Sequence, residues 1–298
     1  MEETTVVPTA VGELHAMIEI PDEVVAGIVL VDGSGDGTAD GWGRAPGAYA
    51  RLGLASLRHD KPGCGASPGH WLDQSLDDRA TETLAAFDVL RAHPALAGKP
   101  IGLLGVSQGA WVGMIAAARA DSPADFLVSV SGPGVSPLVQ ERHRVTELMG
   151  ELTQQQRDAA LAWFDERTTR LLAGEDAGTV LASQQALVGE PWYEHVNGYF
   201  DDERMLRFLA GIMPFEPAEV VPRIDVPVLV AFGSDDDLVP VPTSVAALSA
   251  ALRPPFGRHG IVVVPGADHG IRVPDPEGGL AHAPEYLAAV EGFVRRLA

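Results

Sequence analysis

Apolar residues recur along this chain with two different periods, and the change of period marks its organisation. The runs AGIVLVDG (26–33), GLASLRHD (53–60), KPIGLLGV (99–106) and ADFLVSVSG (124–132) have the length and apolar content of buried strands. Between them, DDRATETLAAFDVLRAHPAL (77–96) and QGAWVGMIAAARA (108–120) carry helical spacing. Strand–helix–strand alternation predicts a parallel sheet covered on both faces, because parallel neighbours need a long crossover. Nearer the N-terminus, GELHAMIEI (12–20) alternates polar with apolar, which predicts an antiparallel strand pair at one sheet edge.

The pattern changes at about Gly134. From there to Val221 the chain reads as mostly helical, as in QQRDAALAWFDERTTRLLAG. Alternation resumes with VPVLVAFGS (226–234), a helical SVAALSAALR (244–253), the strand GIVVVPG (260–266) and a final helix near 284–297. The economical reading is an α/β fold with a mostly parallel, doubly wound sheet. Residues 1–133 and 222–298 form its core, and 134–221 form an inserted all-helical cap. The segment Ser131-Gly132-Pro133-Gly134-Val135-Ser136-Pro137 reads as a hinge at the start of that cap.

Composition narrows the function. A chain of 298 residues can bury a large core. Its 41 acids and 21 Lys or Arg give a net charge of −20, which argues against nucleic acid or an anionic membrane as partner and leaves a small-molecule substrate. Cys64 is the only cysteine, so an intrachain disulfide and a thiolate metal cluster are both excluded. No run reaches the roughly 18–20 apolar residues of a membrane span, and MEETTVVPTAVGELHAM lacks the basic and apolar regions of a signal peptide. A cytoplasmic protein is the expectation. The sequence leaves the oligomeric state open.

The candidate chemistry begins with G-x-S-x-G, which places a serine on a tight strand-to-helix turn. It occurs twice, at Gly65-Ala66-Ser67-Pro68-Gly69 and at Gly105-Val106-Ser107-Gln108-Gly109. Only the second follows an apolar strand and opens a helix. In the first, Pro68 removes the backbone N–H that an oxyanion hole requires. Ser107 is therefore the candidate nucleophile. Cys64 has no such elbow to present it.

A serine hydroxyl needs a base and an orienting acid, and catalytic groups in open parallel sheets gather at the carboxyl ends of strands. Two later strands end suitably. VLVAFG runs into Ser234-Asp235-Asp236-Asp237, and GIVVVPG runs into Ala267-Asp268-His269-Gly270. His269 is the candidate base, and Asp235, Asp236 and Asp237 are all candidates for the acid. The order Ser, Asp, His along the chain is that of nucleophile-elbow hydrolases.

The assembled pattern resembles the alpha/beta-hydrolase superfamily, in particular its cap-bearing serine esterases. That resemblance implies the frame G-x-x-D-x-x-V-P around the acid, which from Gly233 selects Asp236 and closes on Val239 and Pro240. It also implies an oxyanion hole built from the backbone N–H groups of Gln108 and Ser34, the latter in the loop Val31-Asp32-Gly33-Ser34-Gly35-Asp36-Gly37. Asp32 stands where such loops often carry histidine. Arg58-His59-Asp60-Lys61-Pro62-Gly63-Cys64-Gly65-Ala66-Ser67 is similar to the family's D-x-R-G-x-G-x-S segment, with Lys61-Pro62 at the Arg-Gly positions.

The expected activity is hydrolysis of a neutral, moderately hydrophobic ester, thioester or lactone through an acyl-enzyme, with no metal and no cofactor. Acyl transfer or cyclisation with the same triad is the alternative, and a noncatalytic small-molecule receptor on this fold is a second. Aromatic and apolar cap residues, Trp192, Tyr193, Tyr199, Phe200, Met205 and Leu209 among them, imply an apolar pocket. His143 and His195 are its candidate polar contacts. Asp32, Asp36, Asp40, Asp235, Asp237 and Asp268 are expected around the mouth, where their field favours the imidazolium formed during acyl transfer and disfavours polyanionic substrates.

Overall fold

The computed structural model describes residues 1–276 and 278–297. In chain order the strands of the main sheet are β1 (Glu2–Thr9), β2 (Gly12–Glu19), β3 (Ala26–Val31), β4 (Leu54–His59), β5 (Ile101–Val106), β6 (Leu127–Val130), β7 (Val228–Gly233) and β8 (Gly260–Val264). They lie in the order β1-β2-β4-β3-β5-β6-β7-β8. β2 runs antiparallel to β1 and β4, and every pair from β4 to β8 is parallel. The parallel sheet and the antiparallel edge expected from the apolar pattern are both present.

The strands β3, β4 and β7 are buried along their whole length, as parallel strands between two helical layers must be. Successive residues go to opposite faces. Val29, Val31, Leu103, Val228 and Val230 join one core, together with Phe87 and Leu90 of α2 (Leu76–Arg91) and Trp111 of α3 (Gln108–Ala117). Ile28, Leu30, Leu104, Leu229 and Ala231 join the other, together with Tyr49 of α1 (Ala45–Ala50) and Tyr286 and Phe293 of α11 (Pro284–Arg295). The period of two thus divides each run between two cores.

Between β6 and β7 lie α4 (Pro137–Leu148), α5 (Gln154–Leu172), α6 (Ala177–Gln185), α7 (Tyr193–Asn197), α8 (Glu203–Ile212) and α9 (Pro217–Val220), with no strand among the described residues. This segment has small cores of its own, one around Val145, Phe164 and Trp192, the other around Leu171, Phe200 and Leu206. Its longest helix starts at a capping box, in which Thr153 and Gln156 each satisfy the other's backbone N–H. After β7 come α10 (Val241–Ala251), β8, and the short hairpin of β9 (Arg272–Pro274) and β10 (Leu280–His282). The hairpin and α1 were not expected; with three residues per strand and six in the helix, neither is long enough to show a period. Among the described residues, no helix is long and apolar enough to cross a membrane.

Candidate active site

Strand β5 ends at Val106 and α3 begins at Gln108, so Ser107 alone makes the turn. It does so at φ 54°, ψ −122°, a conformation that a residue with a Cβ rarely adopts. The glycines around it follow from the crowding. A Cβ on Gly105 would lie 2.2 Å from the Gly109 carbonyl oxygen, and one on Gly109 would lie 2.1 Å from that of Val31. Backbone passes backbone here, and only hydrogen fits between. Ser107 is left partly exposed at the wall of a cavity of about 440 Å³.

His269 lines the same cavity. Its Nδ1–H donates to Asp236 Oδ2 at 2.8 Å, and the Asp236 side chain is fully buried while that of His269 stays 23% exposed. The other carboxylate oxygen accepts from the backbone N–H groups of Leu238 (2.9 Å) and Val239 (3.1 Å). A carboxylate held on both oxygens is fixed in place. Of the three adjacent aspartates only Asp236 reaches the histidine. Asp235 accepts from the Ser234 hydroxyl, and Asp237 is exposed.

Ser34 and Gln108 also line the cavity. A Cβ on Gly33 would sit 3.4 Å from the Ser107 Cβ, so the loop after β3 packs directly on the elbow. Two buried basic residues hold this arrangement, Arg79, which sequence reasoning missed, and Lys61, from the segment already noted as similar to D-x-R-G-x-G-x-S. Arg79 of α2, itself 3% exposed, donates from Nη1 to Gln108 Oε1 and from Nη2 to the Asp32 carbonyl, each at 2.7 Å. It joins the two chain segments that carry the expected oxyanion donors. Lys61, 1% exposed, donates through Nζ to the carbonyls of Gly33 and Gly35 on either side of Ser34. Burial and the neighbouring Arg79 bring its ammonium from 10.5 down to about 7, against the pull of Asp32. Lys61 thus ties down the loop that carries Ser34. Ser67 is turned elsewhere, donating to Asp60 and accepting from the His15 N–H. The Cys64 thiol is buried, and burial pushes its pKa up, the opposite of what a nucleophile needs.

Two helices of the insertion supply much of the remaining cavity wall. Pro137, Gln140, Glu141 and Arg144 line it from α4, and Met205, Phe208, Leu209 and Ile212 from α8, both at the i, i+3, i+4, i+7 spacing of a single helix face. Of the apolar residues expected there, Tyr199, Phe200, Met205 and Leu209 reach the cavity. Trp192, Tyr193, His143 and His195 do not line it. His143 is one residue, about 100° of helix, off the inward face of α4. Trp192 belongs to the insertion's own core, and α7, which carries Tyr193 and His195, packs on α4 and α5. Trp71 and Trp111 line the cavity from the core side. Nothing in their sequence neighbourhoods marks them for it.

Of the six rim acids, Asp32 lines the cavity. Asp36 accepts from the Trp71 indole N–H at 2.8 Å, and Asp268 is paired with Arg272 at 2.8 Å, which lowers the Asp268 pKa. The rim is less of a free negative field than the bare sequence implies. Among the described residues, no group of three or more His, Cys, Asp or Glu could hold a metal ion.

Comparison with known proteins bears on the whole chain. No curated protein matches it by sequence. An esterase of Pyrococcus furiosus superposes with a TM-score of 0.64 at 16% identity, over 100% of this chain and 91% of that one. A proline iminopeptidase of Mycobacterium smegmatis gives 0.59 at 18%, over 99% and 98%. A Butyrivibrio proteoclasticus protein with ferulic acid bound gives 0.58 at 18%, over 98% and 96%. At such identities the likeness shows a shared fold. The sequence profile of the alpha/beta hydrolase family matches residues 24–283, spanning the elbow, the helical insertion and the Asp–His pair, and the chain belongs to that family.

Proposed function

We propose that this protein is a serine hydrolase that cleaves a neutral, moderately hydrophobic carboxylic ester, thioester or lactone through an acyl-enzyme. One observation carries the reading: Ser107 stands at a strained elbow on the wall of the cavity that also holds His269, whose imidazole is bound to a buried aspartate. In this reading Ser107 Oγ attacks the carbonyl, and His269 takes its proton and delivers it to the leaving group. Asp236 holds Nδ1–H and so keeps Nε2 free as the base. The N–H groups of Ser34 and Gln108 receive the charge on the carbonyl oxygen. Water then attacks the acyl-enzyme by the same route in reverse. The helical insertion acts as a lid that limits substrate size and screens the acyl-enzyme from bulk water. Among the polar contacts that tie it to the core, Gln140 Nε2–H donates to the Leu238 carbonyl at 2.7 Å and Arg204 pairs with Asp73 at 3.1 Å.

Initial rates on p-nitrophenyl butyrate test the proposal. The wild-type protein is expected to turn the ester over. Ser107→Ala and His269→Ala are each expected to lose about 10³-fold or more in kcat with the fold intact by circular dichroism. Hydrolysis by Ser107→Ala at the wild-type rate would remove the nucleophile and with it the reading.

A further inference from the structure

The two helices that roof the cavity are chemically unlike. The inward face of α8 is wholly apolar, whereas that of α4 ends in an ion pair, Glu141 with Arg144. The pair is a two-bond fork, Arg144 Nε to Glu141 Oε2 at 2.8 Å and Nη2 to Oε1 at 2.6 Å. The side chains are only 20% and 9% exposed. Burying such a pair is expensive unless its remaining hydrogen-bonding capacity is used. The fork takes two of the five N–H groups of the guanidinium and two of about four lone-pair directions of the carboxylate. Donors and acceptors are therefore both left over at one spot on the roof, on the same side as Gln140 and Tyr199 and opposite in character to the apolar face of α8.

A purely apolar ligand would strip water from these groups and return nothing. A carboxylate would have to displace Glu141 from Arg144 and would face Asp32 across the cavity. A hydroxyl, which accepts from the guanidinium and donates to the carboxylate, meets both needs without adding charge. The aromatic side chains Trp71, Trp111 and Phe208 suit a flat or bulky body for the same ligand.

We propose that the cavity selects hydroxylated, semi-apolar esters, with the Glu141–Arg144 pair binding the hydroxyl and the inward face of α8 covering the apolar body. The inference deepens the Ser107 hydrolase reading and rests on it for the word ester. Its binding test is independent of that reading.

Quenching of tryptophan fluorescence by non-hydrolysable ketones is the test, since Trp71 and Trp111 line the cavity. 4-(4-Hydroxyphenyl)butan-2-one is expected to bind about tenfold more tightly than 4-phenylbutan-2-one. In the double variant Glu141→Leu/Arg144→Leu, which removes both ends of the fork, the ratio is expected to fall to about one. If the double variant does not fold, Arg144→Lys, which keeps the charge and loses the fork, is expected to reduce the ratio instead. Equal affinity of the two ketones for wild type overturns the inference, as does a preference that survives in the variants. Tighter binding of the carboxylated analogue 4-(3-oxobutyl)benzoate overturns it too, because the site would then be one for anions. Failure of the Ser107 reading has a different signature: hydroxyl-selective binding persists while the corresponding methyl ester, methyl 3-(4-hydroxyphenyl)propanoate, is not hydrolysed.

Discussion

Arg79 and Lys61 bring two basic groups to the underside of the loop expected to stabilise an oxyanion; Arg79 donates to that loop and to Gln108, and Lys61 to the loop alone. Support of this kind acts on the transition state more than on ground-state binding. Arg79→Met is therefore expected to lower kcat by roughly 10–100-fold while KM changes by less than about threefold, measured on p-nitrophenyl butyrate. Lys61 makes a prediction about pH. Below about 7 it is protonated in both the folded and the unfolded chain; between about 7 and 10.5 the unfolded chain keeps a proton that the folded one has released. Folded-state stability from this group therefore rises with pH across that window. The free energy of urea unfolding of wild type, relative to Lys61→Met, is expected to rise by up to about 1.4 kcal/mol per pH unit between pH 7 and 9. The Arg79 role was not legible in the sequence, for a plain reason. Arg79 looks like one more polar residue in a helix, and its acceptors are 29 and 47 residues away. Ser107 and His269 stood out because their surroundings are local: glycines at fixed offsets and strand ends can be read from neighbours.

At the scale of elements, the β5–α3 turn works only because three backbones meet without side chains. Gly109→Ala would drive a Cβ against the Val31 carbonyl, which belongs to a central strand and cannot yield. A loss of about 3 kcal/mol or more in chemical denaturation is expected, or no soluble protein. Gly47→Ala is the matched control, since it lies in α1 with nothing within 4 Å of the added Cβ. It is expected to be neutral or to stabilise by up to about 1 kcal/mol. Strand and helix identities were legible because the two periods are strong, and strand ends shifted by only one to three residues where turns compete with pairing. The facing of the insertion's helices was not. On α4 the polar residues 140, 141, 143 and 144 look alike in sequence, and which of them turn inward is set by how the helix docks. The stripe on α8 was the better clue, because Met205, Phe208, Leu209 and Ile212 already repeat at helical spacing.

For the molecule as a whole, the net charge is −20, and of the six acids expected around the site Asp36, Asp235 and Asp268 are committed to an indole, a hydroxyl and a guanidinium. In the proposed reading, selection falls to a cavity of about 440 Å³ beneath the helical insertion and to the groups that line it. A space of that size lies within the usual range of about 300–1,000 Å³ for small ligands, and the hydrolase reading expects it to favour a compact ester over a long acyl chain. Across p-nitrophenyl esters, kcat/KM is expected to peak at short to medium acyl length and to be at least about tenfold lower for the palmitate. The central claim is that Ser107 is an activated nucleophile, and labelling with a fluorophosphonate followed by intact-mass and peptide mapping tests it most directly. The account predicts one adduct per folded chain, on Ser107, absent from heat-denatured protein and from Ser107→Ala, and slowed by about 10²-fold or more in His269→Ala. A folded wild-type protein that takes up no label, or one labelled equally well at another serine such as Ser67, would contradict it.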